Sequence, residues 1–155
     1  MELWYTNHSP DTLHFIWFHI WPNAYRNDKT SYSEQSLENG KTDFYFSEKE
    51  KRGYINRLEF RVGGQIADIR DHPEYIDVIK LILPEALVPG DSLLVSASFH
   101  VKLSYNFSGC GYLGSNVQLC NWYPEPAVYD ASGWHPMPFL EQGGAYHEAA
   151  DYQVQ

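Results

Sequence analysis

At 155 residues, 43% hydrophobic and 20% charged, the chain fits a single globular domain, 1–155, large enough for a core of its own. A formal charge of −9, with 11 Lys plus Arg against 20 Asp plus Glu, leaves no clustered basic surface for phosphate and excludes nucleic acid as a partner. No apolar run approaches the roughly 18 residues that cross a bilayer; the best, 13–21, is broken by His14 and His19.

Residues 2–6 read as strand from the first positions. The run 12–21 has large residues on both faces: Leu13, Phe15 and Trp17 on one, Ile16, Phe18 and Ile20 on the other. Such a strand is covered on both sides, and Pro22 ends it because proline cannot donate to the ladder. The spacing predicts a helix of about two turns over 30–40. Thr30 or Ser31 caps its start, Glu34 lies in its first turn and Gly40 stops it. It reads as surface decoration within a polar connection, 26–52. Strand alternation returns at 53–62, Gly63-Gly64 signals a hairpin, and 65–70 is the returning strand.

A further strand is predicted over 75–83, followed by a turn region, 84–91, containing Pro89-Gly90. Positions 92–104 give the cleanest alternation, with Leu93, Val95, Ala97, Phe99, Val101 and Leu103 facing one way and mostly polar residues the other. That is a half-buried antiparallel strand. The three glycines of 109–114 read as a flexible loop without phosphate-binding chemistry, because no Lys and no helix follow. A short strand is expected at 117–119 and a last one at 149–154. Many short strands with one short surface helix predict an all-β fold, a mostly antiparallel β-sandwich. Both ends of the chain fall inside strand-like patterns, so it reads as a piece of a longer protein. No secretory leader pattern opens it, and a periplasmic or extracellular parent is compatible with the residues without being assigned by them.

The stretch 121–142 stands apart, with two Trp, two Tyr, one Phe and four Pro in 22 residues. Pro124, Pro126, Pro136 and Pro138 exclude a helix, and the aromatic content excludes a disordered linker. An ordered, extended surface segment is what remains, and such segments often carry function. Cys110 and Cys120 are ten residues apart; they either close a small loop or are two buried thiols, and spacing leaves both open.

Catalytic chemistry is sparse. His147-Glu148-Ala149-Ala150-Asp151 begins like the zincin signature, but Asp151 stands where the second His belongs and no second cluster supplies a third ligand. His19 and His100 lie in predicted strands and read as packed or surface residues, and His135 as a hydrogen-bonding loop residue. No nucleophile elbow, phosphate loop or metal-spaced cysteine pair occurs. No catalytic or metal-binding residue is assigned to this chain.

Three segments carry a resemblance to a known family. They are Tyr5-Thr6-Asn7-His8-Ser9-Pro10-Asp11-Thr12-Leu13 with His19-Ile20-Trp21-Pro22-Asn23-Ala24, then Pro84-Glu85-Ala86-Leu87-Val88-Pro89-Gly90-Asp91-Ser92. The third is Trp122-Tyr123-Pro124-Glu125-Pro126-Ala127-Val128-Tyr129-Asp130 with Gly133-Trp134-His135-Pro136-Met137-Pro138-Phe139. Together they resemble the N-terminal β-domain of aminopeptidase N-type zinc peptidases, in a branch common in Bacteroidetes-like bacteria. The resemblance implies a saddle-like sandwich leaning on a separate thermolysin-like catalytic domain of the same polypeptide, which holds the zinc; this chain itself needs no cofactor. It also implies a peptide substrate whose free amine is held in part by an amide or carboxyl of this domain. By position that role falls on Gln118 or Asn121, with Trp122 and Tyr123 beside them. A stand-alone carbohydrate- or protein-binding sandwich, using its five Trp and 12 Tyr as a platform, is the competing expectation.

Overall fold

A computed structural model describes residues 1–143 together with Tyr146 and His147. In chain order the strands are β1 (Glu2–Thr6), β2 (Leu13–His19), β3 (Tyr54–Val62), β4 (Gln65–Ala67), β5 (Ile69–Asp71), β6 (Val78–Leu87) and β7 (Ser92–Lys102). The short strands β8 (Gly111–Leu113), β9 (Asn116–Gln118), β10 (Glu125–Pro126), β11 (Tyr129–Asp130) and β12 (Gly133–Trp134) follow. One helix, α1 (Ser31–Glu38), and two 3₁₀ turns, Trp21–Tyr25 and Lys49–Lys51, complete the described residues.

Two four-stranded antiparallel sheets, ordered β1-β7-β3-β4 and β10-β2-β6-β5, face each other. Leu3, Ile55, Phe60, Val95 and Ala97 from the first sheet meet Leu13, Ile16, Phe18, Ile79 and Leu81 from the second in one buried core. The fold is an all-β sandwich, as the alternation of β7 and the hydrophobicity of β2 predict. No helix among the described residues is long and apolar enough to cross a membrane.

Strand β2 is covered on both faces, but its faces divide differently from the simple alternation. A register shift between Leu13 and Phe15 turns Leu13 into the sandwich core, while Phe15 and Trp17 stay on the outer face. There they pack with Tyr75, Val78, Ala127 and Trp134. Lys80, directly opposite Trp17, lays its ammonium 4.4 Å from the Phe15 ring centroid and 4.5 Å from that of Trp17. The apolar stem of Lys80 extends this layer while its charge meets two ring faces.

Three expected boundaries move. The predicted return strand 65–70 is two strands, because at Asp68 the chain leaves β4 in one sheet and enters β5 in the other. The strand predicted at 75–83 begins at Val78 and runs through Pro84 to Leu87. Pro84 is tolerated because β5 pairs only with Ile79–Leu81 and the β2 register shifts opposite it. The turn is thereby confined to the residues around Pro89-Gly90, where Gly90 takes φ +84°. Gly111–Leu113, expected to be a flexible loop, pairs with Asn116–Gln118 as a hairpin. The strand predicted at 149–154 lies outside the described residues.

Helix α1 forms where its signals place it. The Thr30 hydroxyl accepts from the Ser33 backbone N–H at 3.3 Å, Glu34 is in the first turn, and Gly40 past the end has φ +75°. It is more than decoration, however. Tyr32 is 2% exposed and joins Tyr25 and Phe44 in a second, aromatic core against which Phe107 and Phe139 pack.

Candidate functional site

The end of the sandwich near Lys102 is built by the hairpin β8–β9 and the residues that follow it. Gly111 sits at φ +121°, its backbone N–H-bearing neighbour Tyr112 donates to the Ser104 carbonyl at 3.0 Å, and Asn106 N–H donates to Tyr112 O at 3.0 Å. These bonds dock β8 against the end of β7. Cys110 and Cys120 are disulfide-bonded across the base of the hairpin, with Cα atoms 5.7 Å apart. The open question of their pairing is thus resolved in favour of a closed loop. Leu113, Val117 and Leu119, each at least half exposed, are presented on the locked hairpin.

Asn121 follows directly, at φ +47°. Asparagine is among the few non-glycine residues that adopt this left-handed region readily, so part of its reason for being there is the backbone. Its turn aims Trp122 back at the sheet, where the indole meets Phe99 edge-on at 6.1 Å and Tyr123 at 5.6 Å. Gln118, Asn121 and Trp122 then converge on one cleft with Trp21, Tyr25 and Phe139. Tyr123 does not line it. Gln118 is exposed, Asn121 and Trp122 are half-buried, and the free volume of about 30 Å³ holds one or two waters.

The proline-rich segment beyond Trp122 is not a free rim. Glu125 and Pro126 pair with His19 and Phe18 as β10, and Ala127 N–H donates to Trp17 O at 2.8 Å. Trp134 packs 6.0 Å from Phe15 and 5.0 Å from Tyr129. The segment is ordered and extended, as its composition predicts, but it covers the outer face of this chain's own second sheet. Sequence reasoning missed Trp21, Tyr25 and Phe139 as walls of the cleft. Only Phe139 lies near the predicted site in sequence; the other two arrive from the turn after β2.

Titratable groups gather beneath the same segment. Burial pushes the Asp77 carboxyl up to about 6 and the Glu125 carboxyl up to about 7, and holds the His19 imidazole down to about 4 with help from the nearby His147. Burial raises the Tyr25 phenol as well, against the hydrogen bond it shares with Ser108. His100 is exposed and bonds Asn56 at 2.9 Å, while His135 lies 2.9 Å from Asp130. Within the truncated zincin-like motif, His147 contacts Glu125 at 3.0 Å; Glu148 and Asp151 lie outside the described residues. Among the described residues no three His, Cys, Asp or Glu side chains gather to hold a metal ion.

No protein family, curated protein or solved structure matches the chain. The cleft carries the amides of Gln118 and Asn121 and several aromatic rings, with Lys102 and Ser104 also among its lining residues.

The locked hairpin gives one expected outcome. Opening the Cys110–Cys120 loop removes a constraint worth about 2–3 kcal/mol by loop entropy for a closure of this length. Urea denaturation with and without a thiol reductant should show that difference; coincident curves would mean that the bond does not restrain the chain in solution.

Proposed function

We propose that this chain is a non-catalytic N-terminal domain of a zinc aminopeptidase-like protein, which packs against the catalytic domain and helps to bound the peptide-binding cleft. The family resemblance of three segments spread over the chain supports the reading, and the all-β sandwich is compatible with it. The observation that carries it is the convergence of Gln118 and Asn121 on one cleft beside Trp122. Amide oxygens there can accept from a peptide ammonium. The exposed Leu113, Val117 and Leu119 on the disulfide-locked hairpin offer apolar surface for a neighbouring domain, and a disulfide suits an oxidising compartment.

The competing carbohydrate platform needs solvent-facing indoles. Trp17 and Trp21 are buried, Trp122 and Trp134 half-buried, and Trp4 alone stands open at 69% exposure, far from the cleft on edge strand β1. That distribution favours packing over stacking on a glycan.

The test separates backbone from side chain at Asn121. In the full-length peptidase, Asn121→Gly keeps the left-handed turn and deletes the amide, whereas Asn121→Ala disturbs both. Combined with Gln118→Ala, Asn121→Gly is expected to raise KM for peptides about tenfold or more, the worth of a hydrogen bond to a charged group. Unchanged KM and kcat would remove the amides from substrate binding. The isolated chain is expected to hold no stoichiometric zinc and to hydrolyse no aminoacyl substrate; one tightly bound zinc per chain by metal analysis would overturn the assignment.

A further inference from the structure

Four titratable side chains from separate stretches are linked through Trp21 and the backbone of residues 137–139. His19 at the end of β2 is 1% exposed, Asp77 just before β6 is 3% exposed and Glu125 in β10 is 8% exposed, while His147 is exposed. His19 stacks on the Trp21 ring at 4.5 Å, and His147 meets it edge-on at 5.0 Å and contacts Glu125 at 3.0 Å. Two backbone amides of the segment end on this group. Met137 N–H donates to His19 Nε2 at 3.2 Å, and Phe139 N–H donates to Asp77 Oδ2 at 2.7 Å. Trp21 Nε1–H donates in return to Met137 O at 3.1 Å.

No Lys or Arg reaches either buried carboxyl. The cationic side chains that form ion pairs among the described residues do so elsewhere, Lys41 with Glu141, Arg52 with Asp28 and Arg61 with Glu59. A carboxyl buried without a cation favours its neutral form, and a buried imidazole does the same. His19 is held neutral by geometry as well. Its Nε2 accepts a hydrogen bond, so the single ring proton is on Nδ1, which faces the His135 backbone without a well-formed bond.

We propose that residues 134–141 form a pH-governed strap over the cleft, shut while His19, Asp77, Glu125 and His147 are uncharged and loosened when the two carboxyls ionise. The strap carries Phe139, which with Trp21 walls the cleft beside Gln118 and Asn121, so loosening it opens that cleft. This goes beyond the proposed domain function and does not depend on it. The other polar pairs around the strap sit at its ends: the His135 ring against Asp130, and Glu141 against Lys41, with Glu141 close enough to act on Tyr25 and Tyr32.

Asp77, raised by burial against its bond from Phe139, keeps a proton in the closed form up to about 6, where an open, solvated carboxyl has already lost it. Acid therefore favours the closed form across that span, and closure weakens as pH rises through 6. Glu125 adds the same dependence up to about 7, from burial. His19 acts oppositely, and closure is lost as pH falls towards about 4. For Asp77 alone, a midpoint raised from 3.8 to about 6 corresponds to about a tenfold fall in the closed-to-open ratio between pH 5 and pH 8.

Amide hydrogen exchange on the whole chain tests this, with rates corrected for the intrinsic effect of pH. Protection of the Met137 and Phe139 amides is expected to fall about tenfold from pH 5 to pH 8, while that of Ile16 in the core holds. The double variant Asp77→Asn with Glu125→Gln should flatten the dependence. Equal strap protection at both pH values in the unmodified chain would overturn the proposal, as would a folded double variant that loses protection just as the unmodified chain does. Should the double variant not fold, NMR titration of the Asp77 carboxyl in the unmodified chain decides: a midpoint near 6 supports the strap, and one near the ordinary 3.8 overturns it.

Discussion

Phe18→Ala is expected to destabilise the domain by about 3–5 kcal/mol, a large part of the roughly 5–15 kcal/mol that holds a protein of this kind together. Phe18 is fully buried in the sandwich core, its ring 4.9 Å from that of Phe60 across the two sheets. On its own sheet it lies between Ile79 of β6 and Pro126 of β10. Truncation leaves a cavity lined by residues from both sheets, which cannot collapse without moving strands that are hydrogen-bonded on both sides. Urea denaturation reads the effect as a lower midpoint at unchanged slope. The matched control is Phe46→Ala, at a ring 76% exposed, where a change within about 0.5 kcal/mol is expected. If the two variants were equally stable, the assignment of the core would be wrong.

Gly111→Ala is the second large effect, and it strikes the site rather than the core. A Cβ at Gly111 would stand 2.3 Å from the Ser104 carbonyl oxygen, a backbone atom that cannot swing aside as a side chain can. The backbone at φ +121° adds conformational strain of about 1–3 kcal/mol. Relief requires the hairpin to lift off the end of β7, breaking the bond from Tyr112 N–H to Ser104 O. The expected cost is about 3 kcal/mol or more, with loss of the cleft geometry around Gln118 and Asn121. Gly109→Ala, at φ +88° with open space around it, should cost only about 1–2 kcal/mol. Thermal denaturation of both variants, with acrylamide quenching of Trp122 as the local readout, separates strain from collision.

The fold was legible wherever hydrophobic period and sheet position agreed. Strand β7 alternates because one face meets the core, and β2 carries large apolar residues on both faces because residues 125–134 cover its second one. Helix α1 announced itself through Thr30, Glu34 and Gly40. Boundaries failed where a local signal was overruled by distant pairing. Pro84 reads as a break, yet the short β5 leaves its missing N–H without consequence. The three glycines of 109–114 read as flexibility, yet Gly111 lets β8 approach the Ser104 backbone. At Asp68 the chain changes sheets with no glycine or proline to mark it.

Of the candidate site, Gln118, Asn121 and Trp122 were singled out by the family resemblance, and the structure sets these three on one cleft, with Tyr123 outside it. The left-handed turn of Asn121 is a property of coordinates that residue type only permits. Invisible to any local reading is the set of titratable groups at the strap. His19, Asp77, Glu125 and His147 come from four separate stretches of chain; the first three alone look like ordinary polar residues, and His147 drew notice only for a motif its neighbours do not complete. Only the pairing of β10 with β2 brings Glu125 alongside His19.

The covering of the second sheet by 125–139 also sets where this polypeptide can be cut. A product of proteolysis ending near residue 123 would retain β1 to β9 and the disulfide, yet strip the lid from Phe15, Trp17 and His19. Such a truncated product would offer a bare aromatic sheet to its neighbours and associate through it. The shortest autonomous unit therefore extends past Phe139, although the sandwich's longest strands end at Lys102.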